Sequence, residues 1–275
     1  MTIQLRPLGD HLRTWRKRRR MSQLDLALEA EISQRHLSFV ESGRSVASRE
    51  TVLALAERLA VPLRERNVLL LAAGYAPVFP ERPLDDPALL PARRAIDLVL
   101  KGHEPYPALA IDRHWTLVAA NAAVPPLLAG LDEPALLKPP VNVLRLSLHP
   151  GGLAPRIANL AEWRGHLLER LAHQIDLTAD PRLVALRREL EAYPVPAGPA
   201  PEGPAAPDYA GVLVPLRIAT PAGVLSFVST TTVFGTPVDV TLSELAIEAL
   251  LPADAATAEA LRGLAEGSAG AAARF

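Results

Sequence analysis

Apolar positions recur at helical spacing through the first eighty residues of this chain, then give way to mixed helical and alternating patterns. Leu8, Leu12 and Trp15 form one stripe and predict a helix from Leu8 to Arg20, with Arg13, Arg16, Lys17 and Arg20 outside it. Ser22 is placed as the N-cap of a second helix whose Leu24, Ala27 and Leu28 point inward. A short break at Glu31-Ile32 follows, and Ser33 caps a third helix that ends at Gly43, a residue suited to the left-handed position after a helix. Ser48, supported by Thr51, opens a fourth helix lined by Val52, Leu55, Ala56 and Leu59. A fifth, from Leu63 to Ala73, stops at Gly74. The pattern predicts a compact five-helix bundle over residues 1–78.

The Pro-rich stretch PVFPERPLDD, residues 77–86, marks a domain boundary, and Pro87 to Leu100 reads as a linking helix. YPALAIDRHWTLVAANAA then reads as a strand, a turn at Asp112-Arg113, a second strand and a helix headed by Asn121. Ile157 to Ile175 predicts a helix with Leu160, Trp163, Leu167, Leu171 and Ile175 inward, and another runs from Asp180 to Ala192. PVPAGPAPEGPAAP, residues 194–207, is too rich in Pro and Gly to pack and reads as a mobile insertion. Val212 to Ile218 and Val224 to Phe234 are predicted strands joined by the turn at 220–223. From Asp239 the pattern is two-sided: Thr241 with Glu244 suggests a capped helix, whereas Leu245 and Ile247 alternate like a strand. The strand is favoured, because 224–234 needs a hairpin partner. The expected second domain spans residues 87–267, an α+β fold with a mainly antiparallel sheet, followed by a disordered tail at 268–275.

Composition sharpens this in three ways. Apolar residues make up 49% and aromatics only 4%, so the core is built from Leu, Val, Ile and Ala. No cysteine is present, which excludes thiol chemistry, disulfides and Cys-ligated metal and fits a cytoplasmic protein. The N-terminal MTIQLRPLGDH carries no apolar run of the kind a secretory signal has. The uncharged stretch 218–238 is long enough to cross a bilayer, but its Thr, Ser, Gly and β-branched content reads as buried sheet, and no membrane association is expected. Charge is uneven: residues 1–80 hold thirteen Lys or Arg against eight Asp or Glu, the remainder sixteen against twenty-two. A basic head on an acidic body is the asymmetry of a chain whose one end meets nucleic acid.

SQRHLSFVESGR, residues 33–44, makes that specific. Two Ser-capped helices joined by a tight turn fit a helix-turn-helix, whose second helix enters the major groove. Gln pairs with adenine, Arg with guanine, and an apolar group touches a thymine methyl. Gln34, Arg35, Ser38 and Phe39 supply those chemistries, with His36 beside them, and Arg35 and Phe39 share a face. Ser22 and Gln23 are placed to hold a phosphate, and Arg16, Lys17 and Arg44 to add salt-dependent affinity. The segment LRTWRKRRRMSQLDLALEAEISQRHLSFVESGR, Leu12 to Arg44, resembles the Cro/lambda-repressor-like (XRE) regulators. It departs from their pattern at Glu31, where a Gly is usual and a strained backbone costs about 1 kcal/mol, and at Val46-Ala47, where a Pro is usual.

Beyond that motif, LLLAAGYAP, HEPYPALAIDRHW, NVLRLSLHPGGLAPRIANLAEW and FGTPVDVTLSELAIEALLPADAAT resemble the MmyB-like regulators, so that the likeness runs from Leu12 to Leu261 outside the Pro-rich insertion. The resemblance implies a dimeric transcription regulator whose C-terminal PAS-like domain binds a small lipophilic, fatty-acid-like effector. A homodimer would place its two recognition helices in successive major grooves, so the expected DNA partner is a pseudo-palindromic operator. Candidate ligand contacts are Arg113, Arg145, His149 and His103 for an acidic head group, with Trp115, Phe227 and Thr230 as walls. The other reading is that the second domain only dimerises or docks a protein. An enzyme is not expected: there is no G-x-S-x-G, P-loop or G-x-G-x-x-G. The polar set His166, Glu169, His173 and Asp176 lies opposite the apolar stripe of its helix, so it is read as a water-facing surface, and no cofactor or metal is expected.

Overall fold

A computed structural model describes residues 6–194, 213–221, 223–235 and 239–272. The chain divides into two compact units: residues 1–83 with 236–243, and residues 84–235 with 244–275.

The first unit is built from α1 (Leu8–Arg18), α2 (Gln23–Glu29), α3 (Gln34–Glu41), α4 (Arg49–Arg58) and α5 (Leu63–Ala72). Its core is the set the periodicity picks out: Leu12, Trp15, Ala27, Leu37, Val40, Val52, Leu55, Ala56 and Leu59, joined by Leu26, Leu69 and Leu70. Leu24 and Leu28, expected inward, are instead exposed on α2, and Leu26 takes the inward position. The helix starts follow local chemistry. The hydroxyls of Ser22, Ser33 and Ser48 accept the backbone N–H of Asp25, His36 and Thr51, and Ser22 with Asp25 forms a reciprocal capping box.

The helix ends share one device. Arg20, Glu31, Gly43, Ala60 and Gly74, each just past a helix end, all have positive φ. In every case the next residue's N–H closes back on the helix: Met21 to Arg16, Ile32 to Ala27, Arg44 to Phe39, Val61 to Ala56, Tyr75 to Leu70. Glu31 carries the strain expected of it, at φ 55°. Gly9 matters for a different reason. A Cβ there would overlap the Glu41 carbonyl oxygen, so a hydrogen is what lets α1 lie against the end of α3.

One further segment belongs to this unit. Asp239 and the short helix α10 (Val240–Ser243) pack with it, although they lie far down the chain. The buried Asp239 carboxylate pairs with Arg82 at 3.0 Å, the Val240 N–H donates to the Pro80 carbonyl, and the Thr241 hydroxyl donates to the Arg82 carbonyl at 2.6 Å.

The second unit holds a five-stranded antiparallel sheet made of β1 (Ala108–Ile111), β2 (Leu117–Ala120), β3 (Leu216–Thr220), β4 (Gly223–Val233) and β5 (Ala246–Pro252), ordered β2-β1-β5-β4-β3. The linking helix is α6 (Leu90–Gly102), preceded by a turn of 3-10 helix at Pro87–Leu89. Then come α7 (Val143–Leu148), α8 (Leu160–Thr178) and α9 (Pro181–Ala192), with α11 (Ala255–Ala272) last. The main core joins Leu160, Trp163, Leu167 and Leu171 of α8 to Leu183, Leu186 and Leu190 of α9 and to Leu216, Ile218, Leu225 and Phe227 of the sheet.

Several expectations need correction. Asn121 heads no α-helix; a turn and the 3-10 helix Pro125–Leu128 follow it. Its buried amide instead ties three segments together, accepting the Ala108 N–H and donating to the Leu100 and Tyr106 carbonyls. The stretch from Asp239 is both things at once, with α10 over four residues and then β5, the partner that β4 required. Helix α11 continues to Ala272, through much of the segment expected to be a disordered tail. The Pro-rich insertion at 194–207 lies, beyond its first residue, outside the described residues. No described helix is long and apolar enough to cross a membrane.

Candidate functional site

Helix α3 presents two opposed faces. At about 100° per residue, Gln34, Arg35, Ser38, Phe39 and the C-cap Ser42 fall within about 140° of arc, while Leu37, Val40 and Glu41 lie on the buried side. Gln34 and Arg35 are exposed; Ser38 and Phe39 are half-buried. The Arg35 guanidinium lies over the Phe39 ring, its Cζ 5.3 Å from the centroid. His36 sits half-buried beyond the edge of this face. Ser42, missing from the expected set, is exposed on it, and counting eight residues on from Gln34 would have found it. Its hydroxyl donates to the Phe39 carbonyl.

What fixes the angle of that face is Glu41. Its side chain is 1% exposed, and both carboxylate oxygens are engaged by the Arg16 guanidinium of α1, at 2.7 and 3.0 Å. Gln23 of α2 donates its amide to the same carboxylate at 2.8 Å, and Arg13 donates to the Glu41 carbonyl. Burial pushes the Glu41 carboxyl up, but the hydrogen bonds from Arg16 and Gln23 and the charges of Arg16 and Arg13 outweigh it and leave it below the usual range. Arg16 is correspondingly raised, chiefly by its hydrogen bond to Glu41. One buried carboxylate thus locks α1, α2 and α3 together.

This reassigns part of the expected set. Arg16 donates its remaining contact to the Met21 carbonyl and is a structural clamp rather than a surface cation. The Gln23 amide is turned inward, and the Ser22 hydroxyl caps α2. Arg19 is also internal, donating to the carbonyls of Leu59 and Ala60 at the end of α4. Lys17 and Arg44 remain exposed, as does Arg20.

The structure does not gather the candidate ligand residues of the second unit into one cavity. Arg113 lies 3.5 Å from Glu244 and 3.8 Å from Asp180. Trp115 is buried, donates its indole N–H to Gln174, and has Arg170 stacked over its ring. Arg170 in turn forks onto Glu248. Arg145 is bidentate to Glu189, which also accepts the Tyr193 hydroxyl; burial and that carboxylate push Tyr193 up to about 12. His149 meets the Tyr193 ring edge-on and accepts the Gly151 N–H at Nδ1. Phe227 is wholly buried, Thr230 is exposed, and His103 caps α6 through its backbone N–H. Of the polar set on α8, Glu169, His173 and Asp176 face solvent, and His166 lies against Trp163. Among the described residues no three such side chains gather at metal-ligating distance.

Two grooves in this unit fall within or near the size range of small-molecule sites. One, of about 530 Å³, runs along α11 and is walled by Pro105, Ala122, Ala123, Pro126, Leu261 and Leu264, with Glu104 as its charge. The other, of about 380 Å³, lies between α7 and α9 and is lined by His114, Asn142, Arg145, Arg182, Glu189, Leu183 and Leu186. His114 Nε2 there meets Asp180 at 2.8 Å, and Asp180 is held below the usual carboxylate range: hydrogen bonds from His114 and the Arg182 N–H outweigh the upward push of burial.

Two family models match this chain. One describes the ligand-binding domain of MmyB-like transcription regulators and covers residues 92–264; the other describes a helix-turn-helix and covers residues 12–66. No curated protein matches the chain.

Proposed function

Since the chain belongs to the MmyB-like transcription regulators, DNA-binding proteins with a ligand-binding domain, we propose that α3 reads base edges in the major groove and that a lipophilic acid is the effector. Both matched modules belong to families of binding domains rather than of enzymes. The observation that carries the DNA reading is the division of α3. Its apolar side is consumed by the core, while its outward side holds an amide, a guanidinium and two hydroxyls. Those are groups that pair with adenine and guanine. Lys17, Arg20 and Arg44 supply phosphate contacts, which carry affinity but no sequence information. A homodimer sets two such helices about 34 Å apart on a pseudo-palindromic site.

The test is a binding-site selection followed by titration. Gln34→Ala relaxes one base position, a loss of about 1–3 kcal/mol of discrimination there. Lys17→Ala weakens all sequences alike and shallows the salt dependence. Selection of an unchanged consensus by the Gln34 variant overturns the assignment of this face.

For the effector, the sheet order β2-β1-β5-β4-β3 with helices against it supports a PAS-like domain. The groove between α7 and α9 suits an acidic head group, because the exposed Arg182 lines it together with Leu183 and Leu186, Arg145 there being already held by Glu189. The α11 groove has a carboxylate, Glu104, where a carboxylic acid would need a cation. Native mass spectrometry of the purified protein, then denaturation and analysis of what is released, is expected to yield an apolar acid at one per subunit. A dimer that releases nothing and whose DNA affinity is unmoved by added fatty acids supports a purely dimerising domain instead.

A further inference from the structure

The geometry points to Phe39 as the residue that positions Arg35, acting on DNA through that arginine rather than by touching a base. This rests on the reading of α3 as the DNA-reading helix. Arg35 and Phe39 are one helical turn apart, and the guanidinium lies over the ring at 5.3 Å. The Arg35 side chain is exposed, whereas Phe39 is half-buried and therefore the fixed member of the pair. Residues just past it also bind its backbone: the Phe39 carbonyl accepts the N–H of Arg44 and Ser45 and the hydroxyl of Ser42.

The chemistry of the stack decides what it does. A guanidinium is planar, and its five N–H donors lie in its plane. A guanidinium held over a ring is attracted through its charge to the π face, which leaves donors on its far side for the DNA. A guanine offers O6 and N7 to a bidentate arginine in that same edge-on geometry. An unsupported exposed arginine must surrender rotamer entropy to hold one orientation. The ring removes part of that loss before the DNA arrives. Gln34, one residue back, and Ser38, one turn on, share the face and have no such support, so their base contacts are not coupled to Phe39.

The experiment is a protein–DNA cycle with the full chain and the site it selects. Phe39→Leu, which keeps an apolar group at the position, is expected to weaken binding about two- to fivefold, the range of an exposed cation–π contact. The loss disappears in an Arg35→Ala background. It shrinks on a site whose Arg35-contacted guanine is replaced by 7-deazaguanine, which lacks N7 and leaves Arg35 only O6. Phe39→Trp restores affinity, because the ring face is what matters. Hydrogen exchange of α2 and α3 identifies any variant that is misfolded.

Persistence of the Phe39→Leu loss in the Arg35→Ala background overturns the inference and makes Phe39 a base contact in its own right. Wild-type affinity of a folded Phe39→Leu overturns it too. A third outcome bears on the premise alone: if Arg35→Ala leaves both affinity and selected sequence unchanged, α3 does not read DNA through this residue.

Discussion

Glu41→Ala is expected to destabilise the helical unit by about 3–5 kcal/mol, the range for removing one partner of a buried ion pair. The substitution strips Arg16 of the carboxylate that both its nitrogens reach and leaves the guanidinium, only 11% exposed, without its counter-charge. It also frees the Gln23 amide. A core leucine lost from α3 would leave a cavity; this change leaves an unpaired cation between three helices, which is worse. Chemical denaturation, read by hydrogen exchange in α1, α2 and α3, measures it. A loss under 1 kcal/mol would show that the pair gives orientation and little stability.

The same carboxylate sets an acid limit. The Glu41 carboxyl is held below its usual value in the folded chain, so its contribution to stability is complete above the unfolded carboxylate value of about 4.3 and is lost as pH falls through the lower folded value. In Glu41→Gln the part of the acid-limb slope due to this group is absent. An acid limb as steep in that variant as in the parent would assign the whole slope to other carboxylates.

Phe227→Ala is expected to cost about 3–5 kcal/mol, the range for truncating a buried aromatic. The ring is fully buried, paired across the sheet with Leu216 on one side and Pro252 on the other, in the core shared with Trp163 and Leu225. The sequence made this residue a candidate ligand wall. The two roles differ in outcome. A packing ring leaves a void, and exchange in β3, β4 and β5 accelerates sharply. A wall ring, already facing empty space, loses about 1 kcal/mol or less on truncation.

Local signals were legible in the sequence and distant ones were not. Ser22, Ser33 and Ser48 mark helix starts because a cap bonds within three residues, and each does so here. Helix ends were read correctly where glycine supplies the left-handed residue, at Gly43 and Gly74. Arg20 and Ala60 do the same work without the marker, and α1 and α4 stop there for reasons spread over their capping bonds. Arg16 looked like a phosphate contact because its partner, Glu41, lies 25 residues away. Arg113 and Arg145 looked like head-group cations for the same reason, with Glu244 and Glu189 supplied by later parts of the chain. Asn121 carried a cap's identity but spends its amide on three segments that only the fold brings together. The outward face of α3 was readable because, among the described residues, no side chain of another element bonds to Gln34, Arg35 or Ser38.

The clasp formed by Asp239, Val240 and Thr241 has a bearing on synthesis. The helical unit precedes most of the second unit, yet the side chain that neutralises Arg82 and the N–H that meets the Pro80 carbonyl are encoded some 160 residues later. At a ribosomal rate of about 5–20 residues per second, the nascent helices wait roughly 8–30 s for those groups. A fragment that stops at residue 83 never receives them. The helical module is therefore made before most of the second unit yet finished only once residues 239–243 are added, and a shortened chain carrying residues 1–83 alone is an incomplete version of its own domain.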